Sequence, residues 1–433
     1  MPDPDESLDA AALSRLQRDK LAAMLREILP RNAFYQRKFA GVGFDAARDP
    51  LHKLPLTTRA ELEQAQLEQP PYGTDLTYPL ERYCRYHQTS GSGGRPLRWL
   101  DTADGWAWVR TCWERIFRAG GATAADRAVF AFSFGPFLGF WAAFDAAHSL
   151  GMLALPAGGL STSARLRMIL DNGATIVCCT PTYALHMAEV AAQERINLAA
   201  STVRKIFVAG EPGGSIPAVR SRIESAWGAR VYDHSGMTEM GPVAFECDPC
   251  PGGLHVNEPE YIAEVIDPHT LQPLPEGSDA TGELVLTNLG RWGSPLIRYR
   301  TGDQVRLVRA DRPCACGRWF ARLEGGILGR IDDMFIVRGN NVFPTAVEAV
   351  IRRFPEVAEF RLTVTEGGGL TQVRLEIEPA PDAAADGGHL AKRIAGAVQQ
   401  SLSFRADVVA VPPGTLPRFE LKAKRFVRKR VET

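Results

Sequence analysis

The chain has 433 residues, with 50 basic and 50 acidic side chains and 45% hydrophobic residues. Its length favours two or more domains, and a zero formal charge provides no global field to gather nucleic acid or an anionic membrane surface. The acidic start, residues 1–6, lacks a signal-peptide core. The most apolar stretch, 128–155, is interrupted by Gly135, Pro136, Asp145 and His148, so a soluble, cytoplasmic protein without a membrane span is expected.

Leu13, Leu16, Leu21, Leu25 and Leu29 recur at helical spacing within residues 8–40, and Pro30 stops the run. Residues 102–119 form a second helical pattern, rich in Trp and Arg. From about 127 to 230, β-like runs at 128–132, 152–155, 175–179, 205–209 and 230–232 alternate with helix-like segments. That alternation predicts a parallel sheet covered by helices. Residues 260–310 turn β-rich, with strands expected at 261–266, 282–287 and 304–308. The last hundred residues read as a small α+β unit: helices over 342–354 and 388–404, strands over 359–364 and 371–377, and a surface loop at 379–388. The fold class is α/β, with a small β-rich subdomain and an α+β C-terminal unit.

The segment Thr89-Ser90-Gly91-Ser92-Gly93-Gly94-Arg95-Pro96 follows a β-like run at 82–87. Backbone N–H groups, small hydroxyls and one cation suit a polyphosphate, although no Gly-Lys-Ser/Thr opens a helix as in a Walker A loop. A plain surface turn has the same composition.

The chain resembles the adenylate-forming superfamily of acyl-CoA synthetases, peptide-synthetase adenylation domains and luciferases, and within it the phenylacetate–CoA ligase branch. Six blocks in order carry the likeness. They are Thr89–Pro96, Ala209-Gly210-Glu211-Pro212, Ser235-Gly236-Met237-Thr238-Glu239, Tyr299-Arg300-Thr301-Gly302-Asp303, the pair 329–333 and 338–344, and Glu420-Leu421-Lys422-Ala423-Lys424-Arg425.

The resemblance implies an adenylation core over 1–331 and a mobile C-terminal domain over 332–433, hinged at Asp332. It places ATP on Thr89–Arg95, Gly210, Glu211, Pro212, Asp233, His234, Ser235, Asp303 and Arg330, with Thr238, Glu239 and Lys422 as the catalytic set. Residue chemistry agrees. Glu239 offers hard oxygens for Mg²⁺, Asp303 two acceptors for the ribose hydroxyls, and Lys422 a point charge on a long stem. Gly93, Arg95, Ser235 and Leu421 depart from the usual residues, and Lys424 is the reserve lysine.

The resemblance also implies the reaction: a small aromatic carboxylate, a substituted benzoate or a phenylacetate-like acid, becomes an acyl-AMP and then passes to coenzyme A. Family position puts Phe134, Phe137, Phe140, Trp141, Ala209, Gly210, His234 and Gly236 at the acyl pocket, where aromatic side chains suit a flat ring. A carrier-protein thiol or an amine as acceptor stays open, and so does an inactive homologue that only binds. A homodimer is also left open.

Of eight cysteines, four fall in short spacings: Cys247-x-x-Cys250, then His255, then Cys314-x-Cys316. These are plausible tetrahedral zinc ligands, five candidates for four positions. Branch members with a similar cluster imply a structural Zn²⁺ on Cys247, His255, Cys314 and Cys316, with Cys250 in reserve. The basic tail, Arg418 to Arg430, has no aromatic interleaving and is read as a solvated face holding one catalytic lysine, with some cations left for the coenzyme A phosphates.

Overall fold

The computed structural model describes residues 4–89, 95–275, 281–309, 311–338, 340–366, 371–419 and 423–430. Among them, a sheet of twelve strands organises the chain up to Arg330. Its parallel half runs, in spatial order, Leu153–Pro156, Arg127–Phe130, Ile176–Cys179, Lys205–Val208 and Arg230–Met237.

Those inner strands read as apolar runs because both faces are covered. Successive side chains alternate between two cores. Ala128, Phe130, Ile176, Cys178 and Phe207 face one core with the helices Ala103–Ala119 and Gly139–Ser149. Val129, Val177, Cys179, Ile206 and Val208 face the other, with the helices Thr162–Asp171, Pro181–Gln193 and Pro217–Trp227. Trp227 is fully buried there and its indole N–H donates to the Ala184 carbonyl at 3.0 Å. Truncating it to alanine would cost about 3–5 kcal/mol.

The sheet continues without a break into the β-rich region. Arg230–Met237 pairs antiparallel with Gly241–Cys247, and the order goes on through Cys250–Val256, Arg322–Glu324, Tyr299–Val308, Thr281–Asn288 and Tyr261–Ile266. This pairing explains why the strand expected at 230–232 extends to Met237. Asp233, Ser235 and Gly236 are poor strand formers, but the ladder to 241–247 overrides local preference.

The C-terminal residues build their own core, from Phe335 to Phe404. Four strands lie in the order Asp407–Ala410, Gln372–Pro379, Val357–Glu366, Phe426–Arg430, with helices Pro344–Ile351 and Gly387–Leu402. The helix expected over 342–354 is shorter because Pro344 takes its first turn, while Asn340–Val342 pairs with Phe335–Val337. A short 3₁₀ helix, Pro381–Asp386, occupies part of the expected 379–388 loop. The end of the basic tail, Phe426–Arg430, is a strand parallel to 362–366, and Arg425 just before it is buried against Glu359, so the tail is not solvated throughout. Among the described residues, no helix is long and apolar enough to cross a membrane.

Candidate active site

The strand Arg230–Met237 carries Asp233 and His234, and the chain then turns through Thr238 and Glu239. A buried ion pair braces that turn. Both Arg291 nitrogens Nε and Nη2 donate to Asp101, at 2.6 and 2.7 Å, while Nη1 donates to the carbonyls of Thr238 (2.7 Å) and Glu239 (3.0 Å). Every polar atom of this guanidinium serves the turn or the carboxylate that neutralises it, the condition under which a buried charge is tolerated.

The Glu239 carboxylate is buried and receives Arg59 Nη1 at 3.1 Å and the Tyr299 hydroxyl at 3.4 Å. Arg59 is delivered by pairing: Thr57 exchanges backbone hydrogen bonds with Arg298 and Arg300, and a capping box of Thr58 and Glu61 starts the helix at Arg59. Arg59 Nη2 also donates to Thr89 Oγ1 (3.2 Å) and to the Arg95 carbonyl (3.0 Å), the two residues flanking the glycine-rich segment.

That segment connects two antiparallel strands, Tyr83–Gln88 and Arg98–Thr102. Thr89 N–H donates to the Leu97 carbonyl and Leu97 N–H returns to Thr89 Oγ1, which closes the base of the connection. Ser90, Gly91, Ser92, Gly93 and Gly94 lie outside the described residues; Arg95 is exposed.

Asp303 is buried four residues along the strand from Tyr299, and Arg330 Nη1 donates to its Oδ1 at 2.9 Å and to the Thr301 carbonyl at 2.6 Å. Gly302 between them has φ +71°, and a Cβ there would meet Arg330 Nη2 at 2.8 Å, so the pairing requires glycine.

Gly210, at φ +94°, turns the chain off the strand Lys205–Val208 into Glu211 and Pro212. Glu211 Oε1 accepts the Thr182 N–H at 2.8 Å and Oε2 accepts the Ala423 N–H at 2.7 Å. Burial raises its pKa above the usual carboxylate value, against the pull of Arg425. Arg425 grips Glu359 through two nitrogens and donates to Thr182 Oγ1 at 3.0 Å. Lys422 lies outside the described residues; the reserve, Lys424, is exposed. Arg428 donates to the carbonyls of Asp332 (2.8 Å) and Asp333 (3.1 Å), which anchors the 332–333 backbone to the C-terminal sheet.

His234 enters an aromatic cluster. Its Nδ1 pairs with the Val208 carbonyl at 3.1 Å, its ring centroid lies 4.3 Å from Trp113 and 6.2 Å from Phe140, and burial pushes its pKa down to about 4. Phe134 and Trp141 meet edge to face, and Ala209 packs against the same group. Phe137 stands 41% exposed. The Gln88 N–H holds the Pro136 carbonyl, and after that turn Leu138 is buried instead. Neighbouring Asp233 is also desolvated, and its pKa rises to about 7 despite a hydrogen bond from Ser215.

Away from this cleft, ligand atoms of Cys247, His255, Cys314 and Cys316 all lie within 4.8 Å of one another. The Cys247–Cys314 sulfur separation is 3.8 Å, and Cys316 Sγ lies 3.5 Å from His255 Nε2. A tetrahedron with metal–sulfur bonds of about 2.3 Å has edges of roughly 3.8 Å, so the donors fit Zn²⁺. His255 Nδ1 meets the Phe320 carbonyl at 3.2 Å, the outer contact that orients a metal-binding imidazole. The Cys250 sulfur is 3.3 Å from Cys314, shorter than such an edge.

Three residues central to this geometry carried no sequence signal: Arg59, Arg291 and Trp113. Their partners lie far away in the chain, and only the Thr58-x-x-Glu61 capping pattern hinted at the helix that starts at Arg59.

The AMP-binding enzyme family model matches residues 52–290, and the model of the AMP-binding enzyme C-terminal domain matches 339–430. A phenylacetate–coenzyme A ligase of Aromatoleum evansii is 32% identical over 99% of this chain and 97% of its own. A 2-hydroxyisobutyryl-CoA ligase, solved in its postadenylation state with 2-hydroxyisobutyryl-AMP, superposes with a TM-score of 0.91 at 30% identity, covering 99% of this chain and 94% of that one. The same ligase in the thioesterification state, with CoA, gives 0.73 at 29% identity and the same coverage. The chain belongs to the AMP-binding enzyme family, and it is an AMP-forming acid–CoA ligase.

Proposed function

We propose that this ligase activates a small aromatic carboxylate, a substituted benzoate or an arylalkanoate such as phenylacetate, and transfers the acyl group from AMP to coenzyme A. One observation carries the reading. The strand Arg230–Met237 brings His234 into an aromatic cluster, and the turn that follows it brings Glu239 to Tyr299 and to Arg59, which also holds Thr89 and Arg95. An acid at that cluster is thereby brought to the phosphates of a nucleotide whose ribose is held at Asp303.

The acid carboxylate attacks the α-phosphorus, pyrophosphate departs, and the mixed anhydride remains. A thiol then attacks the acyl carbon and AMP leaves. Both transition states spread negative charge, so catalysis is positioning and electrostatic stabilisation rather than covalent chemistry by the protein. Glu239 would hold Mg²⁺, which supplies charge neutralisation at the phosphates. Thr238 is set beside it by Arg291, and Lys422 bridges acyl and phosphate oxygens. His234, neutral at physiological pH, presents its second ring nitrogen for recognition of a ring substituent.

Two domains, 1–331 and 332–433, take turns at this cleft by rotation about Asp332. The higher likeness to the postadenylation arrangement supports assigning the present pose, with Ala423 docked on Glu211, to the adenylation half of the cycle. The cysteine–histidine cluster is a structural zinc site that ties the 247–255 hairpin to the 314–316 turn. With four protein donors it leaves no open position for chemistry.

The test is acid-dependent exchange of labelled pyrophosphate into ATP over a panel of aromatic and aliphatic acids, followed by product mass with CoA or with amines. Exchange with aromatic acids and an acyl-CoA product are expected. Exchange confined to aliphatic acids would overturn the substrate class, and an amide product the acceptor.

A further inference from the structure

Arg59 is the cation paired with Glu239 among the described residues, and nothing in the family blocks pointed to it. Its guanidinium is shared between two carboxylates, Glu239 (3.1 Å) and Glu63 (2.8 Å), and two groups flanking the glycine-rich segment, Thr89 Oγ1 (3.2 Å) and the Arg95 carbonyl (3.0 Å). The side chain is about a third exposed, so this charge is open to solvent on one side.

A divalent cation on the Glu239 carboxylate would compete with the guanidinium that now sits on its Oε1, because two cations on one carboxylate repel at contact distance. The metal arrives with a polyphosphate that carries more negative charge than the metal neutralises. A planar guanidinium freed from Glu239 is shaped to bind phosphate oxygens through two parallel N–H bonds, which a lysine cannot do.

Resting on the reading of this cleft as the ATP site, we propose that Arg59 is a phosphate-contacting residue for the pyrophosphate portion of ATP. Its hold on Glu239 is the contact that the metal replaces. Arg59 then stabilises the charge that builds on departing pyrophosphate and has no part in thiol attack on the acyl-AMP, a step without pyrophosphate.

The experiment is calorimetric titration of the full-length protein with inorganic pyrophosphate plus Mg²⁺, and separately with AMP, for wild type, Arg59→Ala and Arg59→Lys. Loss of a charge-assisted bidentate contact weakens binding by about ten- to a hundredfold. Arg59→Ala should weaken pyrophosphate to that extent and AMP by less than about threefold, and Arg59→Lys should fall between. Thioester formation from synthetic acyl-AMP should fall by a smaller factor than pyrophosphate binding in both variants.

Unchanged pyrophosphate affinity would overturn the proposal. Equal weakening of pyrophosphate and AMP would also overturn it, because Arg59 would then only shape the cleft. Should Arg59→Ala fail to fold, Arg59→Lys decides by the same two comparisons. If wild type binds neither probe, the ATP-site reading fails first and the Arg59 proposal falls with it.

Discussion

Glu211 Oε2 accepts the Ala423 N–H at 2.7 Å, joining residues 212 positions apart, and its other oxygen accepts the Thr182 N–H at the start of a helix. One carboxylate thus links the Gly-Glu-Pro segment to the residue that follows Lys422. A hydrogen bond to a charged group contributes about 1.5–3 kcal/mol. Glu211→Ala should therefore slow pyrophosphate exchange by about ten- to a hundredfold. It should leave single-turnover transfer from synthetic acyl-AMP to CoA near wild type, since that step requires the contact to open. Equal loss in both half-reactions would instead mean a folding defect.

Lys422→Ala should separate the half-reactions in the same direction and further. Removing a preorganised charge from a phosphoryl-transfer site costs about 10²–10³ in rate. Pyrophosphate exchange should fall by that factor while acyl-AMP thiolysis persists. Full exchange activity in this variant would reassign the role, with Lys424→Ala as the next variant.

The zinc proposal predicts about one zinc per chain after chelator-free, reducing purification, measured by elemental analysis. Cys314→Ser should abolish the metal and lower the melting temperature. Cys250→Ser should retain it. Retained zinc in Cys314→Ser, or its loss in Cys250→Ser, would redraw the ligand set.

His234 sets part of the acid stability. Its pKa is about 4 in the folded chain against 6.5 for an unburied histidine. The unfolded chain therefore takes up the proton first. Stability from this group is fully present above pH 6.5 and is lost as pH falls from 6.5 through 4. His234→Gln keeps a donor but does not titrate. Its melting temperature should decline less steeply than wild type between these pH values, followed by thermal melts in matched buffers. Parallel declines would place the acid sensitivity elsewhere.

Much of the architecture was legible because it rests on short-range regularities. Apolar runs such as Ile176–Cys179 and the leucine spacing of Ala10–Ile28 record burial and helical period directly. Boundaries failed where pairing outweighed local preference, as at Asp233–Met237, and where Pro344 displaced a helix start.

Five Cys/His candidates for a metal stood out by residue type and spacing, because soft donors are properties of single side chains, whereas Glu239 and Asp303 were picked out by resemblance to the family's blocks. That Arg59 reaches Glu239 across 180 residues, that Arg291 braces the turn before it, and that Trp113 packs on His234 were decided only by the tertiary structure. Chemical capacity is local to a residue, whereas the partner that neutralises or orients it is whatever the sheet order and helix packing bring within a few ångströms.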